Sequence, residues 1–318
     1  MALNTNAYTT YTAATAGNIR EDLSDIIHDI SPTETPFLTS IGKNSATNTK
    51  HEWIKESLAS ASSSNFVLEG DDATVDAASA GTRVINYCAI SDKVPSVTGT
   101  NDAVDAAGSI THMAHQMEKR MKELKRDVES ALLENNAYVA GDATNARECA
   151  GLQAYVKTNT DIASDASASA GTGADAHTDG TARALTESMV ETVLASAWTN
   201  GGMPSMGILN AFQKRKFATF SGNATSYEKA EDKKITNSVD VYIDPLGSEV
   251  RLVPDRFVPA DVVFFVDPEY AKFSVLRDFR SWDLAKVGDT IRKQILVEYT
   301  LEVCTEAAHA GIYDLTTS

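Results

Sequence analysis

From Gln294 to Val303 the chain alternates. Ile295, Val297, Tyr299, Leu301 and Val303 fall on one face of an extended segment, and Glu298, Thr300 and Glu302 fall on the other. A period of two is what a half-buried strand requires, because successive side chains point to opposite sides of the pleat. The preceding residues, 269–283, carry Phe273, Val275 and Phe279 among Lys272, Arg277, Asp278, Arg280 and Asp283. Val287-Gly288-Asp289 supplies a turn signal between the two segments. Two long, charge-decorated strands suit a protein whose partner is another copy of itself, and they make a poor pocket for a small molecule.

The pattern is different at the other end. Residues 1–18 are Thr, Ala, Asn and Tyr without apolar period, which predicts an extended arm. Ile19 to Ile30 is a short amphipathic helix with Leu23, Ile26, Ile27 and Ile30 on one face. Ser31-Pro32 and Thr35-Pro36 should stop it and force an extended course, with Phe37, Leu38 and Ile41 as an apolar anchor. Two strand-like pieces follow, at 51–58 and 83–90, separated by 24 residues with four acidic and no basic side chains. So long a connection is either a floppy hairpin tip or a projecting arm whose tip rests on a neighbour.

The longest helical pattern runs from about Val104 to Val139, with Ile110, Met113, Met117, Met121, Leu124, Val128, Ala131 and Leu132 in one stripe. Glu118–Lys122 and Lys119–Glu123 are i,i+4 pairs of opposite charge. At about 1.5 Å per residue this spine would reach roughly 45–50 Å and pack against a sheet. Residues 158–181 are low in complexity, with Ile162 the single large aliphatic, and mark a surface loop or a domain boundary. Beyond them the pattern becomes α/β. A helix spans Arg183–Trp198 and ends at Gly201-Gly202, a strand covers 206–209, and a helix lies near 210–220. Strands follow at 238–243, 249–253 and 262–266, the last an apolar run suited to burial on both faces.

Composition narrows the function classes. The 318 residues are 42% hydrophobic and 23% charged, as in globular proteins, and length alone allows about two domains. The net charge is −16, from 28 basic and 44 acidic residues, which argues against an affinity for nucleic acid built on phosphate neutralisation. Three widely spaced cysteines, Cys88, Cys149 and Cys304, suit a reduced compartment better than a disulfide scaffold. The N-terminus lacks the cationic and apolar blocks of a secretory signal, and no apolar run is long enough for a membrane span. Synthesis and folding in cytoplasm is the expectation.

No catalytic constellation stands out. GxSxG, P-loop, GxGxxG and HExxH patterns are absent. His112 and His115 share a helix face, but two histidines without a third ligand read as ordinary helix residues. Asp71-Asp72 in an acidic loop reads as a solvated charge cluster. Trp53, Trp198 and Trp282 are core or interface anchors, and the sequence alone does not decide which. The expectation is no enzyme, no cofactor and no metal.

The order of parts carries more information than any motif. An N-terminal arm, an extended loop, a long helix, an α/β lobe and a pair of return strands arrive in that sequence. Its telling passages are IREDLSDIIHDISPTETPFLTSIGK, the helix followed by GGMP at 184–204, and LAKVGDTIRKQILVEYTLEVCTEAAHAGIYDL. This combination resembles the major capsid (major head) proteins of tailed bacteriophages, with the α+β fold of the Hong Kong 97 type. The resemblance implies an N-terminal arm at 1–42, an extended loop (E-loop) at 43–95, and a peripheral (P) domain at 96–181 and 269–318 that includes the spine. Residues 182–268 would form the axial (A) domain.

By the same resemblance, subunits would self-assemble into hexamers and pentamers of an icosahedral head enclosing double-stranded DNA. Such a shell needs many modest contacts that tolerate small angular changes. Trp53, Phe66, Glu69, Asp71, Asp72, Arg83, Arg277, Arg280 and Trp282 are the candidate inter-subunit contacts. The implied partners are a portal, a separate scaffolding protein, a possible decoration protein and DNA packaged without sequence-specific binding. An acidic inner wall would let that DNA slide. The alternatives are an encapsulin-type nanocompartment shell or, further off, an α/β hydrolase housed in 182–268.

Overall fold

The computed structural model describes residues 33–73, 75, 76, 78, 80–104, 112–220 and 240–317. The arm at 1–18, the helix at 19–30 and Ile110 of the expected stripe lie outside those residues. The described elements are α1 (Pro36–Ser40), β1 (Gly42–Ser45), β2 (Lys50–Lys55), β3 (Thr82–Tyr87), β4 (Ala89–Lys93), β5 (Ser96–Thr98), α2 (Gly99–Ala103) and α3 (His112–Leu133). Then come β6 (Thr160–Asp161), α4 (Glu187–Thr199), β7 (Met206–Leu209), α5 (Ala211–Phe217), β8 (Val241–Ile243), β9 (Glu249–Pro254) and β10 (Val263–Val266). The chain closes with β11 (Ala271–Asp283), β12 (Thr290–Val303) and β13 (Ala310–Ile312).

The return strands pair with each other in antiparallel register, Ala271 opposite Val303 and Asp283 opposite Lys293. They organise a five-stranded sheet of order β1-β11-β12-β4, with β5 continuing along β12. The spine α3 lies on this sheet, and Leu124, Val128 and Leu132 are fully buried in one core with Ile295, Val297, Tyr299 and Leu301. Each such aliphatic contributes about 1.5–3 kcal/mol relative to exposure. The alternation over 294–303 is therefore real, but the strand is not half-buried. Glu298, Thr300 and Glu302 are buried as well, so the charged face expected to meet neighbouring subunits is closed inside the chain.

A six-stranded mixed sheet, β6-β13-β10-β7-β9-β8, forms the other body. Its strand β10 shows why an unbroken apolar run is needed. Phe264 and Val266 point into the core shared with the spine, while Val263 and Phe265 point into a second core with Val190, Val193 and Leu194 of α4. Helix α4 stops where expected: Gly201 takes φ +85°, and the Gly202 N–H reaches back to Ala197 O at 2.8 Å.

Further expectations need correction, among them the start of α4, which lies at Glu187 and not Arg183. The spine ends at Leu133, not 139, and its 22 described residues span about 33 Å at the usual rise. The cause is Asn135-Asn136, whose side chains bond backbone elsewhere: Asn135 with His177 at 2.8 and 2.9 Å, and Asn136 with Cys149 O at 3.0 Å. Pro36 opens the short helix α1 instead of forcing extension, since a proline at the first helical position lacks only an N–H that would be unpaired anyway. Within 83–90 the chain changes partner at Cys88, so β3 pairs with β2 and β4 joins β12.

Candidate interaction surface

The hairpin β2–β3 is a separate two-stranded sheet, with Lys50 opposite Tyr87 and Lys55 opposite Thr82. Two strands alone are marginal in water, so its root must be held. Trp53 does much of this: its indole N–H donates to Val303 O at 2.8 Å and its ring meets Tyr155 at a centroid distance of 5.9 Å. Tyr155 donates to Ile85 O at 2.8 Å, and Asn86 donates to Leu301 O at 2.8 Å while accepting from Ala150 N at 2.9 Å. Trp53 is thus spent largely inside its own subunit. Arg83 remains exposed on the opposite strand, 3.4 Å from Glu52, which also pairs with Lys50.

Past Lys55 and Thr82 the chain leaves regular structure. Residues 56–81 carry five carboxylates and no cation. Along this stretch Leu58 is 99% exposed, Phe66 87% and Val75 98%, and Val67 and Leu68 are also open to solvent. Glu69, Asp71 and Asp72 stand among them and are exposed as well. Four of the candidate contacts, Phe66, Glu69, Asp71 and Asp72, are therefore brought together on one uncovered segment. Isolated exposed apolar residues are ordinary, but a contiguous set marks a surface that another molecule covers.

The distal half of β11–β12 is the second such region. Register shifts fall between Val275 and Arg280, and beyond them Arg280 and Trp282 are exposed. Val287 and Ile291 are exposed at the turn end, alongside Lys286 and Arg292. Arg277 is not free in the same way, because its Nε donates to Glu298 at 2.6 Å.

Between these regions lie two buried carboxylates. Glu298 receives Arg277 from one side and Arg147 Nη2 at 2.5 Å from the other. Glu302 meets His51 Nε2 at 3.0 Å, Asn44 Nδ2 at 2.8 Å and Ser274 Oγ at 2.9 Å, with Lys272 at 3.7 Å. Burial pushes the Glu302 carboxyl up, but the bonds from His51, Asn44 and Ser274 and the nearby Lys272 outweigh it and hold the pKa at about 2. These bonds tie β1, β2 and β11 to one point on β12. The sequence offers one signal for them, a carboxylate at every second or fourth place inside an apolar strand. The partners come from up to 258 positions away, so nothing local names them.

One ligand-like grouping exists among the described residues: His177, Asp179 and Asp314, with atoms within 4.8 Å of one another. Two of its members, His177 and Asp314, already contact each other and are buried, whereas Asp179 is exposed. Asp314 accepts from Ala163 N and Gly180 N at 2.9 and 2.8 Å, His177 Nε2 lies 3.3 Å from Asp314, and His177 Nδ1 has no partner to orient the ring as a metal-bound imidazole requires. The arrangement staples the low-complexity segment to the C-terminal end. That segment accordingly lies against the body, with Ala163, Ser169 and His177 buried.

The family profile described as SU10 major capsid protein matches residues 3–316, almost the whole chain. The chain belongs to the SU10 major capsid protein family. A curated relative, the major capsid protein of Escherichia phage Phieco32, is 25% identical, with 86% of this chain and 87% of the relative covered. Among solved structures, the capsid asymmetric unit of cyanophage A-1(L) superposes with a TM-score of 0.66 at 15% identity, covering 98% of this chain and all of the other. The capsid of the native GTA particle gives 0.64 at 13% identity, covering 99% and 100%. At such identities the structures establish the fold, and it is the α+β capsid fold of the Hong Kong 97 type.

As a member of the SU10 major capsid protein family, the chain is a structural protein of an icosahedral phage shell and a component of the virion. Its partner of first rank is another copy of itself. No helix among the described residues is long and apolar enough to cross a membrane.

Proposed function

We propose that residues 56–81 are the arm by which each subunit covers a neighbour, and that the shell is assembled from hexamers and pentamers joined through this loop. The supporting observation is the exposure of Phe66, Val67, Leu68, Leu58 and Val75 on a segment that its own chain leaves uncovered. Covering Phe66 alone would be worth about 2 kcal/mol, and a closed shell repeats that gain at every subunit. The loop's five carboxylates favour a neighbour's cationic edge, and Arg280, Lys286 and Arg292 at the far end of β11–β12 supply one.

In this reading residues 1–42 act as the N-terminal arm and 43–95 as the extended loop. Residues 96–181 and 269–318 form the peripheral domain, and 182–268 the axial domain. The chain acts with a portal and a separate scaffolding protein, leaves its outer face open to a possible decoration protein, and encloses double-stranded DNA without reading its sequence. Synthesis takes place in the host cytoplasm, and the role is structural, not catalytic. A net charge of −16 supports the DNA statement, since a cationic inner wall would hold the packaged strand.

Deleting residues 60–80 tests the proposal. The variant should be a soluble subunit with an unchanged thermal midpoint that fails to form closed shells in sedimentation and negative-stain microscopy. Normal shells from the deletion variant would overturn it.

A further inference from the structure

Two of the chain's crossings between its large sheets run side by side. Residues Asp267 to Tyr270 carry it from β10 of the six-stranded sheet to β11 of the five-stranded one, and Cys304 to His309 carry it back from β12 to β13. His309 ends the second crossing and is fully buried. Its ring reaches the first crossing with both nitrogens: Nδ1 accepts the Asp267 N–H at 3.3 Å, and Nε2 lies 3.4 Å from Tyr270 O. A backbone N–H only donates and a carbonyl only accepts. The two bonds together therefore fix one form of the ring, the neutral imidazole with its proton on Nε2. A further link joins the same crossings, from the Cys304 N–H to Tyr270 O at 2.9 Å.

The charged groups that act on the ring are Asp267 from the first crossing and Glu306 from the second. Both are turned to other partners. Asp267 Oδ1 accepts the Glu269 N–H at 3.1 Å, and Glu306 accepts the Lys157 and Thr158 amides at 3.1 and 3.0 Å and the Thr158 hydroxyl at 2.6 Å. Cys304 directs its thiol to Glu302. From the neighbouring segment, Asn159 Nδ2 donates to Ala307 O at 2.8 Å and to His309 O at 3.0 Å, and its Oδ1 accepts from Ser196 and Asn200 at the end of α4. These three side chains do not titrate. Burial lowers the His309 pKa to about 4, outweighing the Tyr270 carbonyl and the two carboxylates, which favour the charged ring.

We propose that His309 is an acid-released pin between the two crossings: the neutral ring fixes the six-stranded sheet against the five-stranded one at this point, and a second proton on the ring releases it. That proton has one place to go, Nδ1, where it meets the Asp267 N–H donor to donor. The bond is lost, a buried cation is left with one of its two N–H groups unpaired, and the Asp267–Tyr270 turn opens to admit water. Tyr270 O keeps its bond from Cys304, so the opening is local. The folded pKa lies below the ordinary 6.5, so the stabilisation is present above about pH 6.5 and is lost as pH falls through about 4.

Hydrogen exchange of the full chain, followed on peptides covering 266–272 and corrected for the intrinsic pH dependence of exchange, reads the pin directly. Peptides from the buried part of the spine, 120–132, serve as the reference for any global loss of stability. Relative to them, protection at 266–272 should fall about tenfold or more between about pH 7 and about pH 4. His309→Asn should start lower, because the Tyr270 bond is given up, but stay within about twofold over that range. Its Oδ1 still accepts from Asp267 and nothing in it titrates. A flat ratio in the wild type, or a His309→Asn variant that follows the wild type, would overturn the proposal. If the variant does not fold, nitrogen-15 NMR of the wild-type histidine rings gives the tautomer and the midpoint of His309. A proton on Nδ1 at neutral pH, or a midpoint in the ordinary histidine range, would equally overturn it.

Discussion

The chain contains two long hairpins that treat their apolar side chains in opposite ways. β11–β12 turns Ile295, Val297, Tyr299 and Leu301 into the core and seals its other face with paired carboxylates. β2–β3 is anchored only at its root by Trp53 and Asn86, and then sends Leu58, Phe66 and Val75 into solvent. A single subunit satisfies the first hairpin over its root half, where these side chains pack. It cannot satisfy the second. Subunit stability and assembly are therefore carried by different segments, and substitutions should separate them.

The largest effect is expected at Tyr299→Asp. The side chain is buried against Phe273 at a ring distance of 5.4 Å, so the change places an unpaired charge in the core. A loss of about 4 kcal/mol or more should leave little soluble protein, measurable by chemical denaturation. Arg147→Ala comes next. Glu298 would keep Arg277 but lose the less exposed of its two cations, at a cost of about 3 kcal/mol in the same assay.

Glu302 gives a pH test with a defined sign. Its folded pKa of about 2 lies below the ordinary value of 4.5, so its stabilisation is present above about pH 4.5 and fades as pH falls through about 2. Glu302→Gln should flatten this part of the acid limb, giving a thermal midpoint that changes less with pH than the wild type's. An unchanged acid limb would mean that the His51, Asn44 and Ser274 bonds do not favour the ionised form. The smallest effect on the subunit belongs to Phe66→Ser, within about 0.5 kcal/mol, since the ring touches little of its own chain. Shell yield should nevertheless fall. A change in thermal midpoint without a change in shell yield would reverse the assignment of the two hairpins.

The sequence carried the periodic parts of the fold well. Alternation at 294–303, the unbroken run read at 262–266 and the glycines after α4 each have a local physical cause, and the structure has strands over Thr290–Val303 and Val263–Val266 and a positive φ at Gly201. What it hid was the fate of polar residues inside those elements. A glutamate in a strand reads as a solvent-facing side chain unless its partners are known, and Arg147, His51 and Asn44 lie far off in the chain. Glu129 was hidden for the same reason, because its partners are backbone amides of Phe37 and Leu38. The spine's early end was missed because Asn135 and Asn136 bond segments that no helical period reveals. Of the candidate contacts, the loop residues were legible as an acidic stretch too long to be a simple turn. Trp53 was ambiguous until the acceptor of its indole N–H was known.

The account rests on the claim that the loop 56–81 finds its apolar cover on another copy of the chain. Electron cryo-microscopy of assembled shells tests this at the level of single side chains. Phe66, Val67 and Leu68 should be buried against a neighbouring subunit; if they remain in solvent in the closed shell, the claim is wrong.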